Sequence, residues 1–287
     1  MRNPITLIVA LIATVIVMPS TAIADSANTG MPIQAETVPD AVAKISGILE
    51  HRGYDITLVV DHAAGAASVG LELPPTQVIF ARPPQSIERG LLKRSDTVGI
   101  DLPVKVLAFE RDGMVHITSN ATGYLTDRND VNLKDGIIRP LDATLDLFDS
   151  AATGLITIES LQSLDDTVLS LEAAISANAA FRIPLVLNYS ENGNGIATGR
   201  TDGPVLIVFG NPNAGTPLMQ TQREIAIDLP QKFLVWEDDD GTVNITYNDP
   251  FFIADRHDVE GQDALLDAMA GALRQFALAG AGQDASQ

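Results

Sequence analysis

The sequence predicts an α+β protein built from two tandem copies of one small domain. Each copy is a largely antiparallel sheet covered by helices, and the two pack as an intrachain pseudo-dimer. Three observations carry this expectation. A long internal repeat divides the chain, each half alternates short β-branched runs with helical stripes, and an N-terminal segment stands apart from both.

The repeat is the firmest of the three. Ile100 to Val131 can be laid on Ile227 to Val259 with one inserted residue in an acidic turn, and 17 of the 32 matched positions are identical. Unrelated segments of ordinary composition would share roughly two. Upstream, Phe80 and Pro83 match Phe209 and Pro212, so the correspondence extends over most of each half. The expected boundaries are 31–150 for the first copy and 154–280 for the second, with 281–287 as a disordered tail.

Within the second copy, Leu155 to Glu159 and Leu185 to Tyr189 are short strand-like runs, and Val205 to Phe209 is a continuous apolar strand. Asp165 to Ala179 has helical spacing. Phe233 to Glu237 and Thr242 to Tyr247 form a hairpin whose polar tip is Asp238-Asp239-Asp240-Gly241. The closing helix, Asp263 to Ala277, places Leu266, Met269, Leu273 and Phe276 on one stripe, the face it would bury on the sheet. The first copy has matching pieces, with Val42, Ile45 and Leu49 on its first helix and Leu141, Leu145 and Phe148 on its last.

The N-terminal segment has one charge, Arg2, then an apolar run from Ile5 to Met18, Pro19, and the small-x-small pattern Ala22-Ile23-Ala24. That order predicts a signal peptide over residues 1–24, cleaved after Ala24, and a periplasmic or secreted mature chain. Fourteen residues fall short of the roughly twenty needed to span a bilayer. Cleavage leaves 17 Lys and Arg against 37 Asp and Glu. A field of that sign repels phosphate backbones and anionic lipid heads, so neither nucleic acid nor a membrane surface is an expected partner. The absence of cysteine excludes disulfides, thiol catalysis and thiolate metal sites.

At VFGNPNAGTPLMQ, IDLPQKFLVWED, VNITYNDP and ADRH the second copy resembles the bacterial family known as domain of unknown function 302. The first copy is similar to it at VVDHAAGAASVGLELPPTQVIF and in its own Asp-Leu-Pro and hairpin segments. The resemblance implies a compact α+β domain that tends to pair, and it implies no reaction. The family's Asp-His-Ala-Ala phrase stands in the first copy as Asp61, His62, Ala63 and Ala64, where the second has Asn188, Tyr189 and Ser190. The family's Arg-His stands in the second copy as Arg256 and His257, where the first has Arg128 and Asn129. Each copy thus keeps one histidine of the pair.

Local motifs add little chemistry. Gly210 to Thr216 has the outer spacing of a phosphate loop but no Lys before Thr216, and a strand-to-helix turn explains its Gly and Pro. No serine-nucleophile elbow and no paired-histidine zinc motif occurs, and the histidines at 51, 62, 116 and 257 are dispersed. A site assembled across the fold would draw on Asp61, His62, Asn211, Met219, Asp228, Tyr247, Asn248, Arg256 and His257. Asp101-Leu102-Pro103 and Asp228-Leu229-Pro230 survive in both copies and read as structural, and Arg128 and Arg256 read as partners of their flanking Asp residues. Cofactor and metal are left open. The expected function is noncatalytic binding of a small molecule, an ion or a partner, by a monomer or homodimer. The alternatives are a hydrolase or isomerase using His257 with Asp228 or Tyr247, and a structural or stress-related scaffold.

Overall fold

The computed structural model describes residues 35–131, 146–148, 153–190 and 203–283. The expected signal peptide lies outside them. So do residues 192–195, where Asn-Gly turns are expected, and Leu141 and Leu145 of the closing helix expected for the first copy.

The first copy runs α1 (Val38–His51), β1 (Asp55–Asp61), α2 (His62–Ser68), β2 (Thr76–Arg82), α3 (Gln85–Leu92), a 3-10 turn (Thr97–Ile100), β3 (Val104–Arg111), β4 (Met114–Asn120), α4 (Thr122–Arg128) and β5 (Asp146–Phe148). The second runs β6 (Leu155–Ser160), α5 (Leu164–Ser176), β7 (Arg182–Asn188), β8 (Val205–Gly210), α6 (Pro212–Thr221), a 3-10 turn (Arg223–Ile227), β9 (Gln231–Glu237), β10 (Val243–Asn248), α7 (Pro250–Arg256) and α8 (Asp263–Gly280). The two sheets have the orders β1-β2-β3-β4-β5 and β6-β10-β9-β8-β7. Every pairing is antiparallel except β4 with β5.

Local sequence explains the helix starts. Thr37 caps α1 by accepting from the Asp40 amide, and Ser163 caps α5 by accepting from Asp166. On α1, Val38, Ala41, Val42, Ile45 and Leu49 are buried, one stripe at helical spacing. Asn211 caps α6 by accepting from the Asn213 amide, so the glycine-rich phrase is the expected strand-to-helix turn.

The pseudo-dimer follows from strands that are apolar on both faces. In β8, Val205, Ile207 and Phe209 join a core with Leu171 and Ile175 of α5 and Leu273 and Ala277 of α8. Leu206 and Val208 point the other way, into a core shared with Val98, Ile100 and Leu102 of the first copy. Alternation sends successive side chains to opposite faces, and a strand covered on both sides reads as an unbroken apolar run. The packing is reciprocal: the first copy's 3-10 turn lies on β9, and the second copy's lies on β3. At Gly99 the approach is so close that a Cβ would stand 2.9 Å from Leu234 Cδ1.

Three expectations need correction. Phe148 belongs to β5, which pairs with β4 parallel from Thr118 to Asn120, and not to a closing helix. Residues 281–283 are no loose tail: Ala281 is fully buried, its carbonyl accepts from Leu161, and the Gln283 amide donates to the Glu159 carbonyl. Arg128 and Arg256 do not turn to their flanking acids but to the Asp-Leu-Pro carboxylates described next.

Candidate functional site

Both Asp-Leu-Pro segments lie at the junction, each just after its 3-10 turn, and both Leu–Pro peptide bonds are cis. Each buries its carboxylate, Asp101 at 4% exposure and Asp228 at 1%. Such a charge demands partners. Asp228 accepts from Arg256 at 2.5 Å, from His257 Nε2 at 2.8 Å and, across the junction, from Lys105 Nζ at 3.1 Å. Asp101 accepts from Asn129 at 2.8 Å and pairs with Arg128 at 3.4 Å. The arginines then exchange partners between copies: Arg256 donates to Asn120 at 2.7 Å, and Arg128 donates to Asn248, the counterpart of Asn120. Arg256 also stacks 3.9 Å from the ring centre of Tyr124.

Burial alone would raise the Asp228 carboxyl. Arg256, Lys105 and His257 outweigh it and hold Asp228 well below the usual carboxylate range. At the position matching Lys105, Lys232 is only 1% exposed. Burial first, and Lys105 second, pull its ammonium well below the ordinary lysine value. This network is a lock between the copies. His257 is 4% exposed, its Nε2 is engaged with Asp228, and it does not line the cavity described below. Tyr247 is not its neighbour either. It packs edge-on against Phe233, 5.4 Å between ring centres, on the helix-covered face, because adjacent strand residues Tyr247 and Asn248 point to opposite sides.

The two segments are flanked differently on their other side. The ring of His62, which α2 of the first copy delivers across the junction, lies against the backbone of Ala226 and Leu229. At the matching place around Asp101, Tyr189 of the second copy donates to the Leu102 carbonyl at 2.7 Å, with the Gly99 carbonyl at 3.0 Å. Pairing thus gathers both retained histidines on one segment, His62 against its backbone and His257 on its carboxylate. Burial lowers the His62 imidazole to about 4, so the ring is neutral near pH 7.

Beside His62 lies a cavity of about 240 Å³, walled by α6, the start of β7, α8, the Leu229–Gln231 segment and the His62–Gly65 turn of the first copy. Asp61, His62, Asn211 and Met219 of the candidate set line it; Asp228, Asn248, Arg256 and His257 belong to the lock instead. Its body is apolar. Phe181, Phe209 and Phe276 face one another with ring centres 5.1 to 6.2 Å apart, and Met269 and Leu273 complete that wall. Behind its surface, three of its residues hold four buried polar atoms without a hydrogen-bond partner among the described residues: His62 Nε2, Thr216 Oγ1, and both amide atoms of Gln231. Buried polar groups are normally satisfied, and an apolar pocket with a few convergent polar groups is the common form of a small-molecule site.

Thr216 and Gln231 were not among the sequence candidates. The signal for Gln231 was available: it stands where the first copy has Val104, alone as a neutral polar residue ahead of an apolar strand. At the rim, the Asp61 carboxylate accepts from the Ala64 amide and from Gln77, and Arg182 donates to the carbonyls of Ala179 and Phe181. The acidic hairpin tip is similarly occupied, Asp238 and Asp240 accepting from Thr242. Among the described residues no three His, Asp or Glu side chains are grouped to hold a metal ion, and no helix is long and apolar enough to cross a membrane.

Residues 31–147 and 156–276 each match the family model described as Domain of unknown function DUF302. The chain is 37% identical over 121 residues to proteins named Fluoride-specific ion channel FluC 1 from Brucella suis and Brucella abortus. The match covers 41% of this chain and 46% and 43% of those relatives, so the chain spans less than half their length. A solved structure, titled as an uncharacterized conserved protein DUF302 from Bacillus stearothermophilus, superposes with a TM-score of 0.38 at 15% identity. It covers 45% of this chain and 98% of that one.

Proposed function

Because the chain belongs to the DUF302 family, whose description names no reaction, we propose from its geometry that it is an exported, noncatalytic binding protein holding one small molecule in the cavity beside His62. One observation carries the proposal: an apolar cavity of about 240 Å³, walled by residues of both copies, lies beside His62 at the one Asp-Leu-Pro segment whose surroundings differ from its counterpart's. Lining atoms around an empty space forfeit their dispersion contacts on that side. A guest that fills the cavity recovers them, whereas a pure scaffold has no use for the space.

The test is to isolate the chain from the cell envelope and weigh it under native conditions. The reading expects an N-terminus at Asp25 and a bound small mass that is missing from an Ala272→Phe variant, whose ring fills the cavity. A precursor-length chain would defeat the export part, and equal adducts on both proteins would defeat the binding part.

The Brucella relatives favour a second reading. The matched stretch is the length of one copy, and those proteins are named fluoride-specific ion channels. A domain of this kind would then work beside ion passage across the envelope. Growth of cells lacking the chain in graded fluoride tests this: unchanged tolerance speaks against it.

A further inference from the structure

Resting on the reading of this cavity as a ligand site, we infer that its guest is a compact, uncharged, apolar aromatic ring compound, held by shape and ring contacts with no polar group recognised. Phe181, Met269, Ala272 and Phe276 line the cavity with part of their surface accessible, as do Pro212 and Pro230. Their side chains offer a guest only carbon and one thioether sulfur. The polar atoms of His62, Thr216 and Gln231 lie behind that surface with next to no accessible area, so a hydroxyl or amide on the guest would give up water and gain no partner. Phe181 and Phe276 stand perpendicular with ring centres 5.1 Å apart, and Met269 adds its sulfur. Ring–ring and sulfur–ring contacts favour an aromatic guest beyond the area it buries.

Charge is excluded by the same wall. Its only ionised side chains, Asp61 and Arg182, sit exposed at the rim, are of opposite sign, and are engaged with neighbouring groups. A carboxylate or ammonium carried inside would lie without a counter-charge, which is strongly unfavourable. Size follows from two glycines of the lining, Gly65 and Gly215, neither of which has a positive φ. A Cβ on Gly215 would come no nearer than 3.5 Å to Leu229, and one on Gly65 no nearer than 3.8 Å to Pro212, both ordinary contacts. Neither backbone conformation nor close packing requires glycine there, and the missing side chains leave volume open. An apolar cavity of about 150 Å³ accepts benzene, and about 240 Å³ has room for a substituted or fused ring.

The test uses the mature full-length chain and five probes, naphthalene, toluene, phenol, benzoate and benzylammonium, titrated by ligand-observed NMR at pH 7. Naphthalene and toluene are expected to bind about tenfold or more tightly than the three polar probes, each of which must desolvate a group the wall cannot answer. Gly65→Ala and Gly215→Ala, which add a methyl at ordinary contact distance and so spare the fold, are expected to weaken naphthalene more than toluene. Thr216→Val is expected to leave toluene unchanged. If phenol matches toluene and Thr216→Val weakens it, the wall recognises a polar group and the apolar class is wrong. If benzoate or benzylammonium binds best, the uncharged class is wrong, and if both glycine variants leave naphthalene unchanged, the assigned size is wrong. If no probe binds while the native mass still shows a guest that Ala272→Phe loses, the ligand class falls and the cavity stands as a site. If no probe binds and no such guest appears, the underlying reading falls with it.

Discussion

Around Asp101 the junction is filled; around Asp228 it is left open. At the first, Tyr189 reaches the Leu102 carbonyl, Arg82 pairs with Glu88 at 2.7 Å, and Val104 follows the cis proline. At the second, the matching places hold His62, Asn211 and Gln231, and the helix after the strand contributes Gly215 and Thr216 in place of a paired acid. Even the small residues differ in purpose. Gly99 admits Leu234 against the first segment, whereas the second tolerates Ala226. One backbone design thus yields a packed, fully paired version and a version with a cavity and orphaned polar atoms. The difference teaches that the fold keeps the cis Leu–Pro bend, the carboxylate, its arginine and the asparagine that the arginine reaches in the other copy, and lets their surroundings vary.

The largest way to break the comparison is to remove that shared feature from the open side. Asp228→Ala strands Arg256 and Lys105 in the interior, and a loss of about 3–5 kcal/mol is expected by urea unfolding. Asp101→Ala, which releases Arg128 and Asn129 but no lysine bond, is expected to cost less. If the two variants lose the same amount, the Lys105 bond contributes nothing measurable.

Next in size is the pH response of His62, which only the open side possesses. Its folded value, about 4, lies below the ordinary 6.5. As pH falls from 6.5 towards 4 the unfolded chain takes up a proton that the folded ring refuses, so stability drops by about 3 kcal/mol and then levels off. Asp228 adds its own loss only below 3.8, its ordinary value. His62→Tyr copies the closed side and is expected to flatten the upper window, measured by unfolding at pH 7 and 4.5. An unchanged slope would assign that window to another group.

The reverse exchange on the closed side has a smaller effect. Gly99→Ala places a Cβ 2.9 Å from Leu234, and a loss of about 1–3 kcal/mol is expected. The smallest effect sharpens the comparison by its sign. Thr216→Val removes an orphaned hydroxyl at constant shape, and the ligand-free protein is expected to gain about 1 kcal/mol. A loss would mean that the hydroxyl is satisfied in solution.

Much of this was legible in the sequence, and the limits have physical causes. The repeat, the apolar β8 run and the α1 stripe are local patterns, and each became the expected element. The helices of seven or eight residues, α2, α3, α4 and α7, escaped because a stripe needs more turns than they have. Four site candidates reached the cavity because family-like phrases mark them. Gln231 and Thr216 were missed because each is unremarkable until the copies are packed, and Tyr247 was misplaced because a one-residue step in a strand reverses the face.

The delivery of His62 across the junction has a consequence for stoichiometry. In a symmetric dimer of separate identical chains the interface is isologous, so whatever one side shows the other must show too. Every substitution would appear twice, and two cavities would open or close together. Joined in one polypeptide, each half mutates alone. The chain can keep one side as ballast and offer the other for occupancy, so that a full complement is one guest for every two domains.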